Sequence, residues 1–399
     1  MKQMLDTWPE LPIYIHAIAY LKKEENDDVV TALRLNHRVS GIRLEGASIS
    51  KWETLLSLVH PFPALTQLWV QPHISIENVI PRSILGGSAP RLQDLRLWNV
   101  PFPALPELLL STTDLVRLRY DLIPPPGYIS PQAMVTGLSA LTRLESLSIT
   151  FLSPNDLPER VIRIPPPHMR TLLPALTHLH FRGVPEYMEG LVVRIDTPLL
   201  EGTEITLFHQ EVVDVSGLSK FVRRADKLTL LDRAEVTFES DRISVTLSQE
   251  LLQEKVGPKT LRLHLNCPES GLELSYLARF CASCLPTLSH FESLHICVPF
   301  YYPWKDVMDD LDPQWLDLLR LFTTVQGLYL SKYVAPRVAQ ALRGPPAQRA
   351  MGVLPALETV SISGLKHLEP VKEAISEFAD ARRLSGHPVF IDDWDELHY

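Results

Sequence analysis

One leucine spacing recurs through this chain and restricts what it can fold into. Leu92-x-x-Leu95-x-Leu97 is followed by a proline-broken connection, a short apolar segment, and then Leu115-x-x-Leu118-x-Tyr120. The alternation at Leu95 and Leu97 predicts a strand with one face buried. Ala104 to Ser111 is apolar enough to pack behind that strand. Such a unit cannot bury its own apolar face and needs copies of itself on both sides. The chain supplies them. Leu65-x-x-Leu68-x-Val70 precedes it, and Leu144-x-x-Leu147-x-Ile149 and Leu176-x-x-Leu179-x-Phe181 follow. Farther on come Phe291-x-x-Leu294-x-Ile296, Val325-x-x-Leu328-x-Leu330 and Leu357-x-x-Val360-x-Ile362. Successive first positions lie 27, 23, 29 and 32 residues apart from Leu65 to Leu176, then 34 and 32 from Phe291 to Leu357.

Those periods, irregular as connecting loops are irregular, predict an α/β fold. It is a leucine-rich-repeat-like curved solenoid with a mainly parallel concave sheet and an irregular helical and proline-rich convex side. A solenoid grows by stacking, so 399 residues need not share one core. The 34 prolines cluster between apolar segments, where they stiffen turns without interrupting a strand ladder. Residues 1–399 are expected to form a single stack: an N-terminal cap over 1–38, regular repeats over 39–198, an irregular section with a hairpin over 199–258, and C-terminal repeats with a capping helix and strand over 259–399.

Local signals place the elements. Pro12 to Ala19 reads as a first strand, Asp28 to Asn36 as a short helix, and Val39-x-x-Ile42-x-Leu44 as a repeat strand. Ser50-x-x-Glu53 is a capping box for a helix over Lys51 to Val59. Ser130-Pro131 and Asp312-Pro313 each put an N-cap before a proline at the first helical position. Glu235 to Leu247 predicts a hairpin turning at Glu239 to Arg242, after which the repeat resumes at Leu261 to Leu265. The helix Pro370 to Ser385 is expected to end at Gly386, before a strand Val389 to Ile391 and a solvated acidic run Asp392 to Glu396. Strands are expected to pair in chain order.

The chemistry of the chain argues for binding. A formal net charge of −9 opposes a nucleic-acid partner. No apolar run approaches the roughly 18 residues of a membrane span, so no membrane partner is expected. Four cysteines and no Asn-x-Ser/Thr sequon predict an intracellular protein, cytoplasmic or nuclear. There is no P-loop, G-x-G-x-x-G, G-x-S-x-G or H-E-x-x-H. Cys281-x-x-Cys284, with Cys267 and Cys297, is the nearest approach to a zinc site, but the pair falls in an amphipathic helical segment and reads as small core hydrophobes. Asp309, Asp310 and Asp312 lack the glycine and terminal glutamate of a calcium loop. Pro124 to Pro126 and Pro165 to Pro167 read as rigid loops, with a polyproline ligand as the alternative. No catalytic residue, cofactor or metal is expected, and the chain is not read as an enzyme.

In a repeat strand the leucines point inward and the residues between and beside them face the open side of the sheet. This puts on one face Arg43 and Glu45; Gln67, Trp69 and Gln71; Asp94, Arg96 and Trp98; Arg117, Arg119 and Asp121; Ser146 and Ser148; His178, His180 and Arg182. The later repeats offer Ser293, His295, Gly327, Tyr329, Thr359 and Ser361. Exposed Trp and Arg side by side are the residue types enriched at interface hot spots. A protein-binding strip is therefore expected over Trp69, Arg96, Trp98, Arg117, Arg119, His180 and Arg182, for an acidic or phosphorylated protein or peptide. The structural alternative is that the tryptophans stack on arginine stems and the arginines pair with Asp94 and Asp121 within the sheet.

Whole phrases also carry a likeness. PFPALTQLWV, GGSAPRLQDLRLWNVPFPALPELLLS, GYISPQAMVTGLSALTRLESLSITFLSP and the closing FADARRLSGHPVF resemble the fungal family of F-box/leucine-rich-repeat-like proteins, over about Trp8 to Trp394. The resemblance implies a ubiquitin-ligase substrate receptor: an F-box that docks on a Skp1-type adaptor, followed by repeats that hold a target. Here Met1 stands seven residues from the first matching phrase, and strand-like Ile13, Tyr14 and Ile15 follow the Leu11-Pro12 pair. The expectation is a recognition region with no recognisable F-box, so that a Skp1-type partner applies only if an F-box lies upstream. The alternative is a ligase-independent adaptor or sensor.

Overall fold

The computed structural model describes residues 11–18, 29–47, 60–72, 79–153, 169–208, 216–239, 242–249, 259–266, 274–284, 291–298, 312–343 and 352–394. The helix expected at Lys51 to Val59, the triplet Pro165 to Pro167, and Cys267, Asp309 and Asp310 lie outside the described residues. The chain divides into two compact units, 1–200 and 201–399.

Among the described residues the main sheet of the first unit runs through seven parallel strands in chain order. They are β1 (Ile13–Ala17), β2 (Val39–Ala47), β3 (Gln67–Pro72), β4 (Asp94–Trp98), β5 (Arg117–Ile123), β6 (Ser146–Phe151) and, after the short β7 (Thr171–Leu172), β8 (His178–Gly183). β7 pairs separately with β9 (Ile195–Asp196). The leucine spacing is what locks the register. Leu68, Leu95, Leu118, Leu147 and Leu179 face one another strand by strand, and each is 2% exposed or less. Each repeat begins with the same tight turn. The backbone N–H of Leu65, Leu92, Leu115, Leu144 and Leu176 donates to the carbonyl three residues earlier. Behind the sheet lie helices α1 (Leu105–Leu109), α2 (Pro131–Leu138) and α3 (Pro185–Val192), with α1 packed on α2 and α2 on α3. Ser130 caps α2 as expected, its Oγ accepting from the Ala133 N–H at 3.2 Å. Gly137 permits the α1–α2 approach, because a Cβ there would stand 2.8 Å from Pro106 Cα.

Tyr120 shows how a repeat strand is tied to its loops. Its hydroxyl donates to the Gly127 carbonyl at 2.9 Å and accepts from the Phe102 N–H at 3.0 Å, with the residue fully buried. Burial raises the phenol above its ordinary pKa, so the group stays protonated and able to donate. Tyr120→Phe keeps the ring and orphans two buried backbone groups. It is expected to cost about 1–3 kcal/mol in urea unfolding; an unchanged midpoint would mean that these bonds contribute nothing.

The second unit corrects the expected strand order. Its sheet comprises β10 (Gly202–Leu207), β11 (Arg233–Phe238), β12 (Arg242–Ser248), β13 (Thr260–Asn266), β14 (Ser293–Cys297), β15 (Gly327–Leu330), β16 (Thr359–Ser363) and β17 (Phe390–Trp394). The order across the sheet is β10-β13-β12-β11-β14-β15-β16-β17. β11 and β12 form the expected antiparallel hairpin. However, β13 pairs parallel with β10, and β11 pairs parallel with β14. Chain order is therefore reversed across three strands. The reason is that both outer strands of the meander fit a repeat partner: Ala234, Val236 and Phe238 on β11, like Leu261, Leu263 and Leu265 on β13, are buried at alternate positions. Helices α4 (Ser216–Arg224), α5 (Leu274–Cys284), α6 (Asp312–Leu319), α7 (Ala335–Leu342) and α8 (Glu369–Leu384) pack each on the next. Gly386, at φ +82°, follows α8 as its left-handed cap. The final strand runs through Asp392 and Asp393 to Trp394, so part of the expected solvated acidic run is strand. Among the described residues no helix is long and apolar enough to cross a membrane.

Candidate functional site

The strand period puts the named polar residues of the first unit on the face of the sheet opposite the leucines. They stand in two rows: Tyr14, Gly41, Gln67, Asp94, Arg117, Ser146 and His178 in one; His16, Arg43, Trp69, Arg96, Arg119, Ser148 and His180 in the next. Trp98 lies beside Asp121, and Thr150 beside Arg182, farther along the strands. All seven residues of the expected strip therefore share one face, but they do not share one environment.

At the β2–β4 end the groups satisfy one another. The Arg43 guanidinium lies 3.6 Å from the Trp69 ring centre and that of Arg96 5.1 Å from it. Arg43 also bonds Glu45, which takes His16 at 3.4 Å. Arg96 grips Asp94 through both Nε and Nη2 at 2.9 Å, and Arg117 Nε adds a third bond at 3.1 Å. Burial alone would raise the Asp94 carboxyl, but the guanidinium groups of Arg96 and Arg117 hold it below its ordinary value. The structural alternative thus describes Trp69 and Arg96.

Toward β8 the face is different. Arg119 is exposed, and among the described residues its side chain has no ion pair or hydrogen bond. Arg117 uses only Nε, so its outer nitrogens face solvent with the side chain 49% exposed. Trp98 is 41% exposed. Among the described residues Asp121 does not pair with an arginine; it accepts from Ser148 Oγ at 2.6 Å and Thr150 Oγ1 at 3.3 Å. Ser148 also lies 3.1 Å from His180 Nδ1, and His178 Nδ1 lies 2.9 Å from Thr177 Oγ1. Among the described residues this face carries Arg43, Arg96, Arg117, Arg119 and Arg182 against Glu45, Asp94 and Asp121.

The second unit holds two arrangements the sequence did not announce. His295 is buried, stacked on Tyr329 at 4.2 Å and edge-on to Trp394 at 6.2 Å. Burial, with Arg233 nearby, lowers its pKa to about 3. His295 is therefore a neutral core group and no open-face contact. Ser244 Oγ lies 2.7 Å from His264 Nδ1, and Glu204 reaches His264 Nε2 at 3.7 Å. This resembles a hydrolytic triad only in composition. Ser244 is 5% exposed, and its strand is paired on both edges. Cys281 is buried, and desolvation pushes its thiol up to about 12. Among the described residues no group of three or more His, Cys, Asp or Glu could hold a metal ion.

Among solved structures the chain is similar to the crystal structure of the leucine-rich repeat-containing protein LegL7 from Legionella pneumophila. Identity is 15%, 92% of this chain and 98% of that chain are covered, and the TM-score is 0.32. No family model matches the chain, and no curated protein matches it.

Proposed function

We propose that this chain is a protein-interaction module, without catalytic activity or cofactor, whose partner lies on the open sheet face of the first unit. The observation that carries this reading is Arg119. It is an exposed arginine with no partner among the described residues, set across the sheet between Arg96 and Ser148 and two residues from the half-committed Arg117, on a face where arginines outnumber carboxylates. An acidic or phosphorylated segment would gain charge-assisted, bidentate hydrogen bonds there, and Trp98 would add contact area at low entropic cost. The likeness to F-box/leucine-rich-repeat-like proteins supports the narrower reading of a ubiquitin-ligase target receptor, intracellular, with a Skp1-type adaptor as second partner if an F-box precedes these repeats. A ligase-independent adaptor is the second reading, since repeat stacks host many binding tasks.

Replacing Arg96, Arg117 and Arg119 together by alanine, with folding checked by circular dichroism, is expected to reduce capture of partners in affinity purification by about tenfold or more. A folded triple variant that captures the same partners at wild-type levels would put the binding face elsewhere.

A further inference from the structure

We propose that the second unit holds a small-molecule site at the carboxyl ends of β15, β16 and β17, taking a planar aromatic ring that carries one carboxylate. The site is built wholly from second-unit residues and does not depend on the reading above.

Three adjacent parallel strands end together here, at Leu330, Ser363 and Trp394. In open α/β sheets ligands bind outside the carboxyl ends of the strands. The chain leaves β15 toward α7, and leaves β16 through Gly364, at φ +68°, into a tight turn over Leu365–His367. Between these exits lies a cavity of about 670 Å³, within the roughly 300–1,000 Å³ of small-molecule sites.

Ser363 supplies the observation that points to a ligand. It lines the cavity and is 7% exposed, yet among the described residues its hydroxyl makes no hydrogen bond. A hydroxyl this buried calls for a partner, and a ligand oxygen in the cavity would supply one. The walls select the rest of the molecule. Trp394 reaches back across β16 and donates Nε1 to the Leu330 carbonyl at 3.3 Å, with its ring edge-on to Tyr329 at 5.9 Å. Its plane is thereby fixed. Tyr333 is 40% exposed, and Leu368 adds an apolar side. Such walls favour a flat, apolar body.

Charge selects the group on the ring. Lys332 and Lys366 line the same cavity, and Asp393 is the one carboxylate among the lining residues. Both Asp393 oxygens are engaged: Oδ1 accepts from the Leu365 N–H at 3.0 Å, and Oδ2 faces Lys366 Nζ at 3.4 Å. The Lys366 side chain is 82% exposed, so this pair is of the weak surface kind and Lys366 can turn to a ligand. Lys332 Nζ lies 5.0 Å from the Tyr333 ring centre, so an acid stacked on Tyr333 would set its carboxylate beside an ammonium. Two lysines and one carboxylate leave one net positive charge, which matches a monoanion better than a dianion.

Calorimetric titration of the full chain tests this, with naphthoate, its neutral counterpart naphthalenemethanol, the non-aromatic cyclohexanecarboxylate, and inorganic phosphate. Naphthoate is expected to bind about tenfold tighter than each of the other three. Lys332→Gln and Lys366→Gln together should weaken naphthoate by about tenfold and leave naphthalenemethanol within about twofold. Ser363→Ala should weaken naphthoate by about threefold or more without lowering the melting temperature, because an unpaired hydroxyl contributes nothing to the fold. The triple arginine variant of the first unit should bind naphthoate as wild type does. No naphthoate binding at millimolar concentration, equal binding of naphthoate and any other probe, or a folded double-lysine variant that binds it like wild type would each overturn the proposal. A loss in the triple arginine variant would also overturn it, by placing the ligand on the first unit. Should the double-lysine variant fail to fold, the comparison of the four probes decides alone.

Discussion

Leu147→Ala is expected to lower the stability of the first unit by about 2–5 kcal/mol, the cost of truncating a buried leucine. Leu147 is 1% exposed and sits between Leu118 and Leu179 in the parallel ladder. The backbones on both sides are held by strand pairing, so the column cannot easily collapse into the space a leucine vacates. That rigidity argues for the upper part of the range. With a unit of about 200 residues the melt should fall by about 2–4 °C per kcal/mol. Arg119→Ala, one strand away on the opposite face, should move stability by less than about 0.5 kcal/mol. A Leu147→Ala melt equal to wild type would mean that the leucines do not form a continuous buried column.

What the sequence made legible and what it did not divide along a physical line. Period-2 alternation with leucines at fixed offsets gives each strand its inward face, so Leu95, Leu118, Leu147 and Leu179 and the opposite polar rows could be read directly. Caps are equally local: Ser130 before Pro131 is a backbone N–H being satisfied a few residues away. Strand partnership is not local. β11 and β13 both alternate like repeat strands, and nothing in their residues states that β13 rather than β11 lies against β10. Ion pairing on the face was legible only as a choice. Asp94 and Arg96, at i and i+2 on one strand, could reach each other or a ligand, and only the coordinates show the three bonds that decide it. Leu122, at φ +50°, was hidden for another reason. The bulge it creates in β5 is supported by a bond from its N–H to Thr150 Oγ1 on the neighbouring strand, 28 residues later.

Asp94 links the fold to the proposed function, and its replacement should move the two in opposite directions. Asp94→Asn preserves shape but removes the charge that holds Arg96 and Arg117. At pH 7 the variant is expected to lose about 1.5–3 kcal/mol, the range for hydrogen bonds to charged groups. The Asp94 carboxyl is held below 3.8 in the folded chain, so its contribution is fully present above that value. It is lost as pH falls through the lower, folded pKa. The gap between wild type and Asp94→Asn in urea unfolding should therefore be constant from pH 7 to about pH 5 and close as the solution is acidified further. Meanwhile Arg117 regains its Nε and Arg96 its full fork, so the face becomes more basic. Affinity for an acidic or phosphorylated peptide should rise, where a merely damaged face would bind less. An Asp94→Asn protein as stable as wild type at pH 7, or a stability gap that persists unchanged to pH 3, would show that the clamp contributes nothing to the fold. A folded variant with lower affinity would show that Asp94 orients Arg117 for binding, and does not withhold it.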